Sequence, residues 1–218
     1  MKKQYSYYAL LIGLSIIMVI IDSMGGFAYW LRSLIKIVIF GLLPAMVLIY
    51  NKHKFNVWDK GKHIKVVLLT SVVVVSVVIS VFYLLLPYGV FDFVVNSLET
   101  QVGVNTNNYP FVFIYIVLVN GPLEEFFFRY VMQLDEFLMS KSKRIILSSL
   151  FFSIYHVGML YNMFAWYLFA FAIIGLVIVG IFFSWVNSFN RGITYSIIIH
   201  MAANLAINTI GAILLYSL

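Results

Sequence analysis

The sequence predicts an all-α, polytopic integral membrane protein with about seven transmembrane helices. Its 218 residues are 63% hydrophobic and only 10% charged, which is far from the composition of soluble globular proteins. Apolar runs of about 20 residues, the length that an α-helix needs to cross a bilayer, recur along the chain. Lysines cluster between several of these runs, as they do in loops on the cytoplasmic side of a membrane.

Each apolar run is bounded by polar or turn-forming residues, and we expect a helix in each. No small-x-small cleavage pattern follows the first run, so we interpret it as a retained helix rather than a signal peptide. The third run is rich in valine, but an isolated strand cannot lie in lipid, so a helix is expected there too. Residues 131–139 have mixed polarity and predict a helix that leaves the membrane. The seven runs cover about residues 7–21, 29–50, 66–86, 109–139, 145–160, 163–186 and 193–216.

The distribution of basic residues predicts the orientation. Residues 51–65 hold five lysines against one acid, Asp59, and therefore predict a cytoplasmic loop. A cytoplasmic N-terminus and an extracytoplasmic C-terminus place eleven of the fourteen Lys and Arg residues on or beside cytoplasmic segments. We interpret two of the three exceptions, Arg32 and Lys36, as interfacial anchors whose long side chains reach toward the membrane surface. We expect a multi-pass protein of the cell membrane, in contact with anionic cytoplasmic lipid.

Composition also limits the chemistry. The chain has no cysteine, which excludes disulfides, a thiolate nucleophile and a cysteine-based metal site. The net charge of +6 reflects the cytoplasmic loops, so we expect no nucleic-acid partner. Because the chain has no cysteine, any catalysis must use oxygen and nitrogen groups.

The stretch Gly121–Arg129 is the main candidate for a functional site, because it places three ionisable residues inside an apolar segment. A charged side chain at the centre of a membrane helix costs about 2.5 to 3.5 kcal/mol, so these residues need partners or a purpose. Glu125 and Arg129 are four residues apart on one helix face and are expected to pair. Glu124 points about 100° away and remains a free carboxylate.

Two later helices carry polar groups at matching depths. Counted from the nearest predicted cytoplasmic loop at about 1.5 Å per residue, His156 lies about 18 Å deep, His200 about 12 Å and Asn204 about 18 Å. Glu124 lies at most about 24 Å deep by the same count. A buried carboxylate facing histidines is suited to general acid–base chemistry. The amide of Asn204 can donate hydrogen bonds to a developing oxyanion.

These residues resemble the CPBP intramembrane protease family, also called the Abi or CAAX-protease family, which includes CAAX endoproteases and bacteriocin-immunity proteins. The family has three motifs, Glu-Glu-x-x-x-Arg, Phe-x-x-x-His and His-x-x-x-Asn, and this sequence has all three in the same order. The matching residues are Glu124, Glu125, Arg129, Phe152, His156, His200 and Asn204.

The resemblance implies an intramembrane endopeptidase. Glu124 and His156 would activate a water molecule, and His200 and Asn204 would bind the oxyanion. Glu125, Arg129 and Phe152 would support the site. Residues 109–218 would form the protease domain, with a polar cavity between the last four helices, and residues 1–108 would form N-terminal transmembrane helices outside the resemblance. The substrate would be a peptide or protein at the membrane, with prenylated proteins, peptide pheromones and bacteriocins as the candidates.

The sequence leaves the cofactor and two other functions open. Members of the family have been described both as metalloproteases and as glutamate proteases, and Glu124, His156 and His200 could hold zinc with an open water position. We expect metal-free water activation with no required cofactor, because no helix carries a His-x-x-x-His pair. A non-catalytic bacteriocin-immunity or membrane-interaction protein is the alternative. A proton-coupled transporter also explains buried Glu and His residues, but the small size and the missing internal repeat argue against it.

Overall fold

A computed structural model describes residues 2–24, 27–58, 61–134, 139–161 and 163–217, and these residues form helices joined by loops, with no strand among them. Within these ranges, five helices are long and apolar enough to cross a membrane, and a shorter apolar helix covers Tyr7–Ser23. The prediction of an all-α polytopic membrane protein is therefore confirmed. The long helices are α1 (Lys2–Ser23), α2 (Tyr29–Tyr50), α3 (Ile64–Tyr88), α4 (Tyr109–Gln133), α5 (Lys141–Leu160), α6 (Trp166–Asn187) and α7 (Thr194–Ser217).

Two prolines inside the helices explain local changes of helical geometry. Pro44 in α2 and Pro122 in α4 have no N–H to donate to the preceding turn. The turns just before them widen into π-helix, at Ile37–Leu42 and Ile116–Asn120. A third π turn follows in α4 at Phe126–Tyr130. Such turns free backbone carbonyls for side chains and recur at functional sites. Helix α4 is therefore distorted on both sides of Glu124.

Close helix contacts are made by small residues. Helix α5 packs against α1 and α6, and α7 packs along α3 and against α4. A Cβ added to Gly158 in α5 would lie 2.6 Å from the carbonyl oxygen of Val19 in α1. A Cβ added to Gly180 in α6 would lie 2.8 Å from the Cβ of Ser149 in α5. Helices in lipid associate through this kind of close packing, since apolar burial from water contributes little between them.

An aromatic core holds α2, α4 and α5 together beside the predicted site. Phe40, Phe127 and Phe128 are fully buried, and the rings of Phe40 and Phe127 stack with centroids 4.2 Å apart. Tyr155, next to His156 in α5, packs edge-on against Phe40 at 5.1 Å. Phe127 and Phe128 of α4 are therefore core residues.

The end of α4 differs from the expectation. The sequence predicts that residues 131–139 leave the membrane as a helix, whereas α4 ends at Gln133, and Val131 and Met132 are buried. The Arg144 guanidinium donates a hydrogen bond of 2.5 Å to the Gln133 carbonyl, which satisfies a backbone group at the helix end. The remainder of the expected helix, residues 135–138, lies outside the described residues, as do Asp59 and Lys60 of the basic loop.

The basic loop between α2 and α3 is tied to the helices of the second half. The backbone N–H of Asn56 donates to the Tyr130 hydroxyl at 2.9 Å. The backbone N–H of His63 donates to the Tyr195 hydroxyl at 2.8 Å. The Ile193 N–H donates to the Val57 carbonyl at 3.0 Å. We call the end of the bundle that carries this loop the basic end.

A substitution at the α1–α5 contact tests the packing. Gly158→Ala is expected to destabilise the protein by about 1 to 3 kcal/mol, because its Cβ would overlap the Val19 carbonyl. The measurement is the melting temperature of the protein in detergent. The matched control is Gly13→Ala, whose Cβ meets nothing within 4 Å. Equal melting temperatures for the two variants would contradict the described contact.

Candidate active site

Glu124 is the centre of the candidate site. Its side chain is 1% exposed and lies nine residues before Gln133, or about 14 Å along the helix axis from the basic end of α4. Oxygen Oε1 accepts a hydrogen bond of 2.8 Å from the Asn120 amide, one turn earlier on the same helix. The Lys36 ammonium lies 3.7 Å from the same oxygen. Oxygen Oε2 accepts no hydrogen bond from any residue that the structure describes.

The second carboxylate oxygen faces two histidines. His156 Nε2 from α5 lies 3.8 Å from Glu124 Oε2, and His200 Nε2 from α7 lies 3.7 Å from it. The overlapping depths estimated from the sequence thus correspond to direct proximity. Three helices, α4, α5 and α7, bring one oxygen and two ring nitrogens to a common point.

Each histidine is oriented by a partner on its other ring nitrogen. His156 Nδ1 lies 2.7 Å from the Phe152 carbonyl oxygen. His200 Nδ1 lies 2.9 Å from Glu125 Oε1. Both partners are acceptors, so we assign the proton to Nδ1 in both rings. In its neutral form each ring then presents an unprotonated Nε2 to Glu124. Three acceptors therefore converge with no donor among them, an arrangement that favours a bound water molecule or a mobile proton.

Glu125 and Arg129 form the predicted ion pair. Arg129 Nε lies 3.6 Å from Glu125 Oε2, and both side chains are 0% exposed. The guanidinium lies over the rings of Phe152 and Phe183, at 4.1 and 5.3 Å from their centroids. The sequence leaves Glu125 with Arg129 alone, whereas the structure gives it His200 as a second partner. Glu125 therefore links the ion pair to the histidines.

Phe152 connects several groups of the site. Its carbonyl oxygen orients His156, and its ring lies under Arg129. The ring centroid is also 4.6 Å from that of His156 and 6.0 Å from that of His200. Phe183 in α6 stacks on His200 at 5.2 Å, so α6 contributes a wall to the site and is more than scaffold. An aromatic residue at position 152 thus supports a cation and two imidazoles at once.

Asn204 lies beside this cluster without touching its carboxylates. Its amide donates a hydrogen bond of 3.1 Å to the Ile116 carbonyl, in the π turn before Pro122. Gly121 permits this approach, because a Cβ there would lie 3.0 Å from Asn204 Nδ2 and 3.7 Å from the His200 ring. One amide N–H of Asn204 is used by this bond, and the amide has a second.

Besides Phe183, sequence reasoning missed two polar members of the site. Asn120 could have been found by helical spacing, since it lies four residues before Glu124 and bonds to it. Lys36 had no such signal: it belongs to α2, 84 residues from its hydrogen-bond partner Asn120. The polar cluster is therefore not confined to the last four helices. Its charges cancel with both histidines neutral, because Lys36 and Arg129 balance Glu124 and Glu125.

The donors do not fit a tetrahedral zinc site as they stand. Ligand atoms at about 2.0 to 2.1 Å from zinc would lie about 3.4 Å apart, and the Oε2–Nε2 separations are 3.8 and 3.7 Å. The Lys36 ammonium beside the same carboxylate also opposes a divalent cation. Within the described ranges, no group of three or more His, Cys, Asp or Glu residues is arranged to hold a metal ion.

Comparison with known proteins identifies the family. Residues 106–206 match the family model for Rce1-like type II CAAX prenyl endopeptidases. No curated protein and no solved structure matched the chain. The matched segment includes the three motifs from Glu124 to Asn204 and excludes Lys36. Residues 106–206 are therefore an Rce1-like domain of the CAAX-protease, or CPBP, family, carried by an all-helical membrane protein.

Proposed function

We propose that this protein is an intramembrane endopeptidase that uses Glu124 and His156 to activate water for cleavage of a membrane-associated peptide or protein. The observation that carries the proposal is the convergence of Glu124 Oε2 with two oriented imidazole nitrogens at 3.8 and 3.7 Å. A water molecule about 2.8 Å from both Glu124 Oε2 and His156 Nε2 would bridge these two acceptors. The family match supports a protease role.

The charges suggest how the proton moves. Glu124 would take a proton from the water as its oxygen attacks the carbonyl carbon of the scissile bond. This proton would be held between Glu124 and His200 and then pass to the leaving amine as the C–N bond breaks. The Glu125 carboxylate at His200 Nδ1 would stabilise the imidazolium that forms, as the Asp of a serine-protease triad does. Protonated His200 can donate through Nε2 to the oxyanion, together with the Asn204 amide.

The proposed mechanism needs no metal, since every proton acceptor and donor in it comes from the chain.

The proposed orientation places the N-terminus in the cytoplasm and the C-terminus outside. The proteolytic domain would extend from Tyr109 to the end of the chain. The basic end, about 14 Å from Glu124 along α4, would then face the cytoplasm. The substrate would approach from the cytoplasmic half of the membrane.

Replacing the proposed base tests the chemistry. Glu124→Gln keeps the size of the side chain but removes the proton acceptor, so cleavage is expected to fall by about 10² to 10⁴-fold. The probe is a fluorogenic farnesylated peptide with three residues after the modified cysteine, and its unprenylated form serves as a second probe. Glu99→Gln is the matched control, because Glu99 is exposed near the other end of the bundle. Cleavage by Glu124→Gln at the wild-type rate would contradict the assignment. Protection of cells against a bacteriocin by the same variant would favour the immunity function.

A second variant tests whether the Asn204 amide stabilises the oxyanion. Asn204→Ala is expected to lower kcat by about 10² to 10³-fold, with little change of KM, because the lost donor acts on charge that develops in the transition state. Asn208→Ala, one turn further along α7, is the control for loss of a buried amide. Similar kcat values for the two variants would show that Asn204 does not bind the oxyanion.

Metal dependence distinguishes the two chemistries described for the family. Protein purified in chelator and assayed on the farnesylated peptide is expected to contain less than about 0.1 mol of zinc per mol and to keep full activity, because no proposed step uses a metal. The measurements are elemental analysis and the rate before and after treatment with 1,10-phenanthroline. Loss of activity that returns on addition of Zn²⁺ would overturn the proposed metal-free mechanism.

A further inference from the structure

Four charged residues are described at the candidate site, namely Lys36, Glu124, Glu125 and Arg129. Of these four, Lys36 alone comes from the first half of the chain. The sequence predicts interfacial anchors at Arg32 and Lys36, and the Arg32 guanidinium does lie near the end of the bundle opposite the basic end, where it donates to the Met24 and Gln101 carbonyls. The Lys36 side chain points into the bundle instead, and its ammonium lies 3.7 Å from Glu124 Oε1 in the candidate site. A cation placed in the membrane interior in this way usually has a specific partner.

Three contacts on two other helices determine the position of the Lys36 ammonium. It donates a hydrogen bond of 2.8 Å to Asn120 Oδ1 in α4. It lies 3.7 Å from Glu124 Oε1, also in α4. It lies over the ring of Tyr155 in α5, at 4.9 Å from the centroid. The aromatic core on Phe40 holds the same part of α2 against α4 and α5.

Asn120 transmits the effect of the cation to the carboxylate. Its side-chain oxygen accepts from Lys36, and its amide donates to Glu124 Oε1 at 2.8 Å. The Lys36 bond also determines which end of the Asn120 amide faces Glu124, since an ammonium only donates. Glu124 Oε1 is thereby occupied from two directions, and Oε2 is the oxygen left to face the histidines.

We propose that Lys36 is a positioning residue for Glu124: with Asn120 it holds the carboxylate in the one orientation that presents Oε2 to His156 and His200. The inference rests on the proposed peptidase function. It extends that function by making α2 part of the active site, although α2 lies outside the family match at residues 106–206. The matched segment alone would therefore lack a functional part of its own site.

A set of variants separates positioning from general stability. Lys36→Met keeps an unbranched side chain, one heavy atom shorter, and removes the charge. It is expected to lower kcat on the farnesylated peptide by about 10 to 100-fold, with KM changed less than about twofold. Lys36→Arg keeps the charge and is expected to recover part of the rate. The matched control is Arg32→Met, which removes a cation one turn earlier in α2 and is expected to keep kcat. Wild-type kcat in Lys36→Met would overturn the proposal.

The absence of cysteine permits a sharper version of this test. In Lys36→Cys, alkylation with 2-bromoethylamine restores a lysine-like ammonium at this single position. Alkylation with 2-bromoethanol adds a neutral group of the same size and serves as the control. Recovery of kcat with the amine alone is expected if charge positions Glu124. Equal recovery with both reagents would show that Lys36 only fills space.

A double-mutant cycle on stability does not depend on peptidase activity. The effects of Lys36→Met and Glu124→Gln on melting temperature are expected to be non-additive, because each removes the same interaction. Arg32→Met and Glu124→Gln should be additive. Additive effects for Lys36 and Glu124 would overturn the positioning role. A different outcome is that the effects of Lys36→Met and Glu124→Gln are non-additive but the wild-type protein cleaves neither peptide. That outcome would contradict the proposed peptidase function and would still support the contact between Lys36 and Glu124.

Discussion

Two adjacent carboxylates buried in a membrane helix are the constraint on which the rest of this structure depends. Glu124 and Glu125 are 1% and 0% exposed, and neither can remain charged in lipid without a cation and hydrogen bonds. The chain provides a different cation for each. Arg129 comes from the same helix, and Lys36 comes from α2. The two carboxylates therefore sit in different surroundings: Glu125 Oε2 faces Arg129 Nε at 3.6 Å, whereas Glu124 Oε2 faces the two histidines at 3.8 and 3.7 Å.

The local irregularities of α4 help to assemble the site around these carboxylates. Pro122 and the π turns around it change the direction of the side chains relative to a regular helix and free the Ile116 carbonyl for Asn204. Gly121 allows the close approach of Asn204 in α7, because a Cβ there would lie 3.0 Å from the Asn204 amide nitrogen. The site is thus assembled where the backbone departs from a regular α-helix, at a position that neighbouring helices cover.

Part of this arrangement could be predicted from the sequence. The Glu125–Arg129 pair follows from a spacing of four residues, and the proximity of Glu124, His156 and His200 follows from counting depth along each helix. The family motifs lead to the same residues, and the match at residues 106–206 confirms the family. Helical period and length were sufficient here because the membrane restricts each apolar run to one kind of structure.

The features of the site that the sequence did not predict depend on contacts between helices, and the spacing of residues along one helix does not predict such contacts. The position of Lys36 requires knowing how α2 packs against α4 and α5, and a lysine seven residues into a span is compatible with snorkelling when viewed alone. The second partner of Glu125 depends on the rotation of α7 about its axis. The hydrogen bond to the Gln133 carbonyl at the end of α4 comes from Arg144, which lies eleven residues later in another helix. Each of these is a tertiary interaction between groups far apart in the chain.

The most direct test of the account is an experimental structure of the protein with a peptide aldehyde bound as its tetrahedral hydrate. The account predicts that one oxygen of the hydrate lies within about 3.2 Å of Glu124 and His156, and the other within the same distance of the Asn204 amide and His200 Nε2. A hydrate bound elsewhere, or held by a metal ion between Glu124 and the two histidines, would contradict the proposed mechanism.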